Sequence, residues 1–205
     1  VEAFFYRMRF PFTVGYGMTE CAPLIAYDHH NDFIPTSCGS VLKDIMEARI
    51  DSTDPENDPG EIQVRGENVM SGYYRNPEAT KAAFTNDGWL KTGDLGVMRG
   101  RRLFIKGRLK TMILSANGQN IYPEEIESRL NNLPYIADSV VVLRDNKLIA
   151  LVYPDKEALK SNNISLERLT EIMEDNKGLL NKVVAKYERL SGIEIMEKEL
   201  RETPV

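Results

Sequence analysis

Lys106-Gly107-Arg108-Leu109-Lys110 divides the sequence into two differently patterned halves. Upstream lie short runs with strand-like alternation, broken by glycine and proline. Downstream the pattern becomes a compact alternation of helix and strand. A charged, glycine-containing joint between two such halves reads either as a linker or as a hinge between two bodies, and these residues alone leave both open.

Immediately downstream, residues 111–114 read as an apolar strand entering the loop Ser115-Ala116-Asn117-Gly118-Gln119-Asn120. Pro123, Glu124 and Glu125 then open a helix, because proline suits the first helical position and acids suit the positive end of the macrodipole. Ile126, Leu130 and Leu133 give that helix an apolar face. Residues 138–143 and 147–153 form a hairpin about Asp145-Asn146. Ser165 caps a helix running to about Asp175, a second helix is predicted over about 179–190, and 192–196 form a last strand. The order β-α-β-β-α-α-β makes 111–205 a small α+β lobe.

Upstream, residues 10–14 give a short strand signal that ends in Gly15-Tyr16-Gly17-Met18-Thr19-Glu20. Glycine lets backbone approach a ligand closely, tyrosine offers a flat face for a base, and glutamate offers a hard oxygen for magnesium. A plain turn accounts for the same residues. In Asp28-His29-His30-Asn31-Asp32 the adjacent histidines lack the i, i+4 spacing of a helical zinc pair, and a solvated loop is the expectation. From about residue 39 to 108 the chain is β-rich. Residues 47–50 and 61–65 alternate as strands, Asp58-Pro59-Gly60 is a turn, and Gly72-Tyr73-Tyr74 follows another short strand. Residues 77–84 suit a short helix and Asp87-Gly88 a tight turn. Thr92-Gly93-Asp94-Leu95-Gly96 sets an acid between glycines, which in isolation reads as a turn-capping aspartate. Arg99-Gly100-Arg101-Arg102 reads as a hairpin turn.

The 205 residues suffice for one large domain or two small ones. With 26 Lys plus Arg against 31 Asp plus Glu, the net charge of −5 lacks the basic excess of an electrostatic nucleic-acid binder. Cys21 and Cys38 sit in no metal-ligand or redox spacing, so a reduced, cytoplasmic setting is the expectation. No apolar run approaches the roughly 20 residues needed to span a bilayer.

Taken in order, four stretches resemble the adenylate-forming enzymes, the family of acyl-CoA synthetases, peptide-synthetase adenylation domains and firefly-type luciferases. They are Tyr16-Gly-Met-Thr-Glu20; Gly60-Glu-Ile-x-Val-Arg-Gly66 with Met70-Ser-Gly-Tyr-Tyr74; Gly88-Trp-Leu-Lys-Thr-Gly-Asp94; and Gly107-Arg-Leu-Lys110 with Asn120-Ile-Tyr-Pro-Glu-Glu-Ile-Glu127. Each stretch is weak alone, and the ordered set is specific. The resemblance implies that 1–107 are the C-terminal part of a large adenylation domain, 108–110 a hinge, and 111–205 the small C-terminal lobe. It implies ATP, magnesium and coenzyme A, with Tyr16 stacking on adenine, Gly17 and Thr19 meeting the nucleotide, and Glu20 holding the metal. Asp94 would accept the ribose hydroxyls, and Arg108 would reach ribose and phosphate oxygens. Lys110 matches the hinge position, and Gly118, Gln119 and Asn120 match the loop lining the thiol's tunnel.

The implied reaction is attack of a carboxylate on the α-phosphate of ATP, giving acyl-AMP and pyrophosphate, followed by displacement of AMP by coenzyme A thiol. The words Tyr16-Gly-Met-Thr-Glu-Cys-Ala-Pro23 and Ala116-Asn-Gly-Gln-Asn-Ile-Tyr122 resemble long-chain fatty acid–CoA ligases of bacterial type. Transfer to a carrier-protein thiol is an alternative, and so is a non-catalytic relic that binds nucleotide or partners. Peripheral membrane contact and self-association stay open for the intact enzyme. The family's phosphate loop is expected upstream of Val1, and its adenylation lysine just after Glu199-Leu-Arg-Glu-Thr-Pro204, so Lys198 does not take that role. The isolated chain is therefore expected to give no fatty-acid-dependent ATP–pyrophosphate exchange above background, and appreciable exchange contradicts that reading.

Overall fold

The computed structural model describes residues 2–115 and 117–199, so the expectation for the stretch from Leu200 to Pro204 lies outside the described residues. The fold is mixed α+β and sheet-rich, as the patterning implies. It forms two compact units, Val1–Lys110 and Thr111–Val205.

In the first unit, α1 (Glu2–Arg7) precedes β1 (Gly15–Gly17), β2 (Leu24–Tyr27), β3 (Ser40–Val41), β4 (Met46–Asp51), β5 (Gly60–Gly66), α2 (Pro77–Ala83), β6 (Leu90–Arg99) and β7 (Arg102–Arg108). The seven strands form one sheet in the order β1-β2-β3-β7-β6-β5-β4. Alternation in β4 and β5 buries Met46, Ile50, Ile62 and Val64 against Tyr16, Ile25, Leu90 and Leu103. Gly100, at φ 61, makes the two-residue turn between β6 and β7. Asn76 caps α2, its Oδ1 accepting from the Ala79 N–H at 3.0 Å, with Pro77 in the first turn.

Two polar arrangements pin the sheet's periphery. Asp28 Oδ2 meets Arg102 Nε at 2.8 Å, and its Oδ1 accepts from the Ser40 N–H at 3.0 Å. Burial works to raise the Asp28 pKa, but its bonds to Ser40 and Arg102 prevail and hold it below the ordinary range. The guanidinium groups of Arg49 and Arg65 both lie over the Trp89 ring, at 4.6 and 4.7 Å from its centroid. Those two arginines are themselves held by Asp87 and Glu47.

In the second unit, β8 (Ile113–Leu114) and β9 (Asn120–Ile121) form a small hairpin, followed by α3 (Pro123–Leu130). β10 (Ile136–Arg144) and β11 (Lys147–Pro154) pair antiparallel about Asp145 and Asn146, both at positive φ. α4 (Lys156–Ser161) and α5 (Leu166–Val183) then carry the chain to β12 (Gly192–Ile195), which pairs parallel with β11. Ile126, Leu130, Val141, Val152, Leu169, Met173 and Leu180 close the core.

Three local expectations are corrected, and one element is added. Residues 10–14 form no strand; the strand is Gly15–Gly17, because its Tyr16 side chain is the one that reaches the core. No strand precedes Gly72, and residues 67–71 run as turn and irregular chain. The helices expected to end near Asp175 and to resume at 179 are one, α5, running through Gly178. Glycine inside a helix costs about 1 kcal/mol, and the continuous buried stripe of Leu169, Met173, Asn176 and Leu180 outweighs it. α4, capped by Asp155 Oδ1 accepting from the Ala158 N–H at 2.9 Å, was not expected.

β10 is an edge strand of its sheet, and α3 covers that edge with polar contacts. Glu127 Oε1 accepts from the Val141 N–H at 2.7 Å, and Ser139 Oγ donates to Asn131 Oδ1 at 2.6 Å. Burial raises the Glu127 pKa, with the charges of Glu124 and Asp138 adding to it. The folded chain thus holds this proton more tightly than the unfolded chain, whose carboxyl titrates near about 4.3. Stability from this group is present below the unfolded value and is lost as pH rises through the folded one. Glu127→Gln keeps an acceptor for Val141 and removes the buried charge. The thermal midpoint of the wild type should therefore fall relative to E127Q between about pH 4 and pH 7; parallel melting curves across that range contradict the assignment.

Candidate functional site

Asp94 is the most constrained of the expected site residues. It lies within β6 rather than in a turn, directly after Gly93, whose φ of +75 few residues other than glycine adopt. The strand is irregular here: its register shifts against β7 between Leu95 and Gly96, and four consecutive residues, Asp94 to Val97, are buried. Thr92 fixes the bend, its hydroxyl donating to Ile62 O at 2.8 Å and accepting from the Asp94 N–H at 3.1 Å. The Leu109 N–H donates to Gly93 O at 2.8 Å, and the Gly93 N–H to Glu61 Oε1 at 3.2 Å.

The Asp94 residue is 8% exposed, and its carboxylate is bound by two other strands. The Tyr16 hydroxyl donates to Oδ2 at 2.7 Å, and Arg108 Nε, the cross-strand neighbour on β7, lies 3.2 Å from Oδ1. Burial above all, with the Asp94 charge adding, holds the Tyr16 phenol far above its ordinary pKa, so it remains a neutral donor. Arg108 is mostly exposed, so the ion pair itself contributes little, and its guanidinium is within reach of solutes. A base stacking on Tyr16 needs ring surface. With 7% exposure that ring is packed in the core, and what Tyr16 supplies here is its hydroxyl on Asp94.

After β1 the chain turns back through a short 3-10 turn, Thr19–Cys21. Gly17 has its own reason: a Cβ there would lie 2.0 Å from Pro23 O, the carbonyl that accepts from the Met18 N–H at 2.7 Å. The close approach that this glycine permits is therefore made by the chain itself. Thr19 is exposed on the turn. Glu20 Oε1 accepts from the Tyr73 hydroxyl at 2.9 Å, while Oε2 has no hydrogen-bond partner among the described residues. Cys21, fully buried behind it, has its thiol pushed up to about 11 by burial and by the Glu20 charge. A shallow pocket of ≈ 710 Å³ adjoins, lined by Gly72, Tyr73, Tyr74, Arg75, Thr80 and Lys81.

Lys110 is the last residue of the first unit and is exposed. In the second unit, Gly118, Gln119 and Asn120 are exposed on the β8–β9 hairpin. Ser115 organises that loop: its N–H donates to Gln119 O, its Oγ accepts from the Gln119 N–H, and its carbonyl accepts from the Gly118 N–H, each at 2.9 Å. Gly118 is required by its φ of +74, since a Cβ would meet nothing within 4 Å. His29 and His30 sit in an exposed turn, and no group of three or more metal-ligating side chains occurs among the described residues. Sequence reasoning missed Thr92 and Tyr73, although both lie in the quoted stretches. Tyr73 acts on Glu20, 53 residues away, and Thr92 is tied to Ile62 O, 30 residues away, so neither tie carries a signal in one dimension.

Comparison with known proteins matches residues 1–74 to the AMP-binding enzyme family. A 4-coumarate–CoA ligase from Vanilla planifolia is 34% identical over 193 residues, covering 89% of this chain and 34% of that one. An O-succinylbenzoate coenzyme A synthetase from Bacillus subtilis, solved in complex with ATP and magnesium ion, superposes with a TM-score of 0.74 at 29% identity, over 96% of this chain and 40% of that one. The adenylation domain of a carboxylate reductase from Mycobacterium chelonae gives a TM-score of 0.82 at 22% identity, over 98% of this chain and 32% of that one, a likeness of fold alone. The chain thus spans about a third of the length of the ligases it matches. Residues 1–74 thus match the AMP-binding enzyme family, and the chain is similar to part of the acyl-CoA ligases.

Among the described residues, the Tyr16 hydroxyl is the one donor that reaches Asp94 from the core. Tyr16→Phe leaves a buried carboxylate oxygen short of a charge-assisted bond, and it should cost about 1 to 3 kcal/mol of stability in urea unfolding at pH 7. A cost within about 0.5 kcal/mol, the range of ordinary surface changes, would mean that the carboxylate does not depend on this clamp.

Proposed function

We propose that this chain carries nucleotide-handling parts of an adenylate-forming acid–thiol ligase, which activates a carboxylic acid with ATP to acyl-AMP and passes the acyl group to the thiol of coenzyme A. The observation that carries the reading is the pre-set Asp94 carboxylate. A carboxylate has about four acceptor sites. Tyr16 and Arg108 each take one, on different oxygens, which leaves acceptor capacity on both oxygens for a vicinal ribose diol. Tyr16 fixes the carboxylate's orientation before any ligand arrives, so less order is lost on binding.

Arg108 supplies a permanent cation with fork-shaped donors for ribose and phosphate oxygens. The Thr19 hydroxyl is available to the phosphates. Glu20 fits a magnesium ion that arrives with the nucleotide, because magnesium is usually held by one or two carboxylates plus substrate phosphates, and Oε2 is open to it. Magnesium bound there would neutralise phosphate charge as pyrophosphate leaves. Lys110 is proposed as the pivot between the two half-reactions, and Gly118, Gln119 and Asn120 as part of the thiol's approach.

Within this class we favour a long-chain fatty acid as the carboxylate, on the wording of the loops at Tyr16–Pro23 and 116–122. The relatives described above carry other acids in their names, so the acid is the open variable. ATP–pyrophosphate exchange with intact enzyme, run against fatty acids of graded length and against hydroxycinnamates, decides it.

Nucleotide binding is the nearer test. Isothermal titration of AMP into the wild-type chain should give a measurable Kd, and Asp94→Asn should weaken it by about 10-fold, the loss expected for a charge-assisted bond of about 1.4 kcal/mol or more. Equal affinity of D94N and wild type overturns the ribose assignment.

A further inference from the structure

Glu20 is held by a segment distant from its own turn. Asn68 Nδ2 donates to Cys21 O at 2.8 Å and to Leu24 O at 2.9 Å, and the Met70 N–H donates to Glu20 O at 2.7 Å. These three bonds fix the backbone of the turn. The fourth contact from this segment, the Tyr73 hydroxyl on Oε1 at 2.9 Å, is the one that reaches the carboxylate.

Tyr73 is itself anchored. Its N–H donates to Thr80 Oγ1 at 2.9 Å, and that hydroxyl donates to Asn76 O at 2.8 Å, at the start of α2. Gly72, at φ +149, makes the tight entry: a Cβ there would come within 2.6 Å of Thr80 Cγ2. The result is a relay from α2 through Thr80 and Tyr73 to one carboxylate oxygen. Tyr73 is 41% exposed, so its hydroxyl has no need of a protein partner for burial's sake. Nor does the turn need it for position, since three other bonds already hold the backbone. What the hydroxyl adds is the orientation of the Glu20 side chain.

We propose that Tyr73 is a positioning residue for Glu20: it occupies Oε1, restricts the side chain's rotamers, and leaves Oε2 as the oxygen that meets the divalent cation of a metal–nucleotide complex. This rests on the reading of Glu20 as the metal-binding carboxylate. A flexible glutamate loses rotamer freedom when it ligates a metal, and a side chain already held loses less. Loss of the tyrosine hydroxyl should therefore weaken binding of metal–nucleotide and spare binding of nucleotide without metal. A tyrosine that merely props the fold would affect both alike.

The test uses the whole chain, with Mn2+–ATP and, in the presence of EDTA, AMP as the probes. Kd values by isothermal titration and the electron paramagnetic resonance spectrum of bound Mn2+ are compared for wild type, Tyr73→Phe, Glu20→Gln and the double variant. Y73F should weaken Mn2+–ATP roughly 3- to 10-fold, alter the Mn2+ spectrum and leave AMP unchanged. In the E20Q background it should add nothing, as two residues acting on one metal require. Thr80→Val, which frees the tyrosine's backbone and keeps its hydroxyl, should shift Mn2+–ATP binding in the same direction and serves if Y73F folds poorly. Wild-type affinity of Y73F for Mn2+–ATP, an equal loss for AMP, or additivity with E20Q overturns the inference and leaves the nucleotide site standing. AMP binding with no contribution from Mn2+ or from E20Q overturns the metal reading of Glu20, and this inference with it. Failure of the wild-type chain to bind either probe overturns both readings.

Discussion

A carboxylate buried in a sheet has to be answered by donors from elsewhere in the fold, and Asp94 shows how far the first unit goes to supply them. Tyr16 and Asp94 are 78 residues apart in the chain. In the sheet order, three strands, β2, β3 and β7, lie between β1 and β6. At the usual spacing of about 4.8 Å, a flat sheet would hold those two strands about 19 Å apart, well beyond a tyrosine side chain. A 2.7 Å bond between them requires the sheet to curl so that β1 folds back toward β6. The short strands make this feasible: β3 has two residues and pairs with β7 only at Arg102. Register shifts in β1 and at both flanks of β6 add the local twist that a curled sheet needs.

The same curvature explains which parts of the fold could be read in the sequence. Strands with regular alternation, such as β4 and β5, and helices with a proline start and an acidic first turn, such as α2 and α3, follow from local chemistry and lie where expected. Gly15-Tyr16-Gly17 and Thr92-Gly93-Asp94 did not. Each is a strand segment dense in glycine, and glycine-flanked residues read as loops because local propensity is all that one dimension offers. Their strand character comes from partners that sequence does not reveal: β2 for the first segment, β5 and β7 for the second. Gly178 is the converse case. A local breaker sits inside α5 because the buried side chains on either side of it belong to one stripe.

The glycines of the quoted stretches carry a second lesson. A glycine in a binding motif invites the inference that a ligand comes close. Here Gly17 is explained by Pro23 O, Gly118 by its positive φ, and Gly93 by its own positive φ at the bend in β6 that aims Asp94. None of the three needs a ligand to account for it, so none of them is evidence for one.

On the proposed reading, the functional weight falls on polar groups whose placement the fold does not require. An exposed hydroxyl at Thr19 and a carboxylate oxygen of Glu20 with no protein donor among the described residues contribute little to stability where they stand. Yet the structure invests order in them. Glu20 is oriented by a tyrosine that is anchored through Thr80 to a helix start, and Arg108 is set beside a carboxylate that the core clamps from the other side. Order imposed on groups that do not need it for folding is the physical signature of pre-organisation for a polar ligand. On the reading proposed above, an acceptor pair on Asp94 with a cation beside it suits a ribose and a phosphate, and an open carboxylate oxygen on the turn after Tyr16 suits a divalent ion.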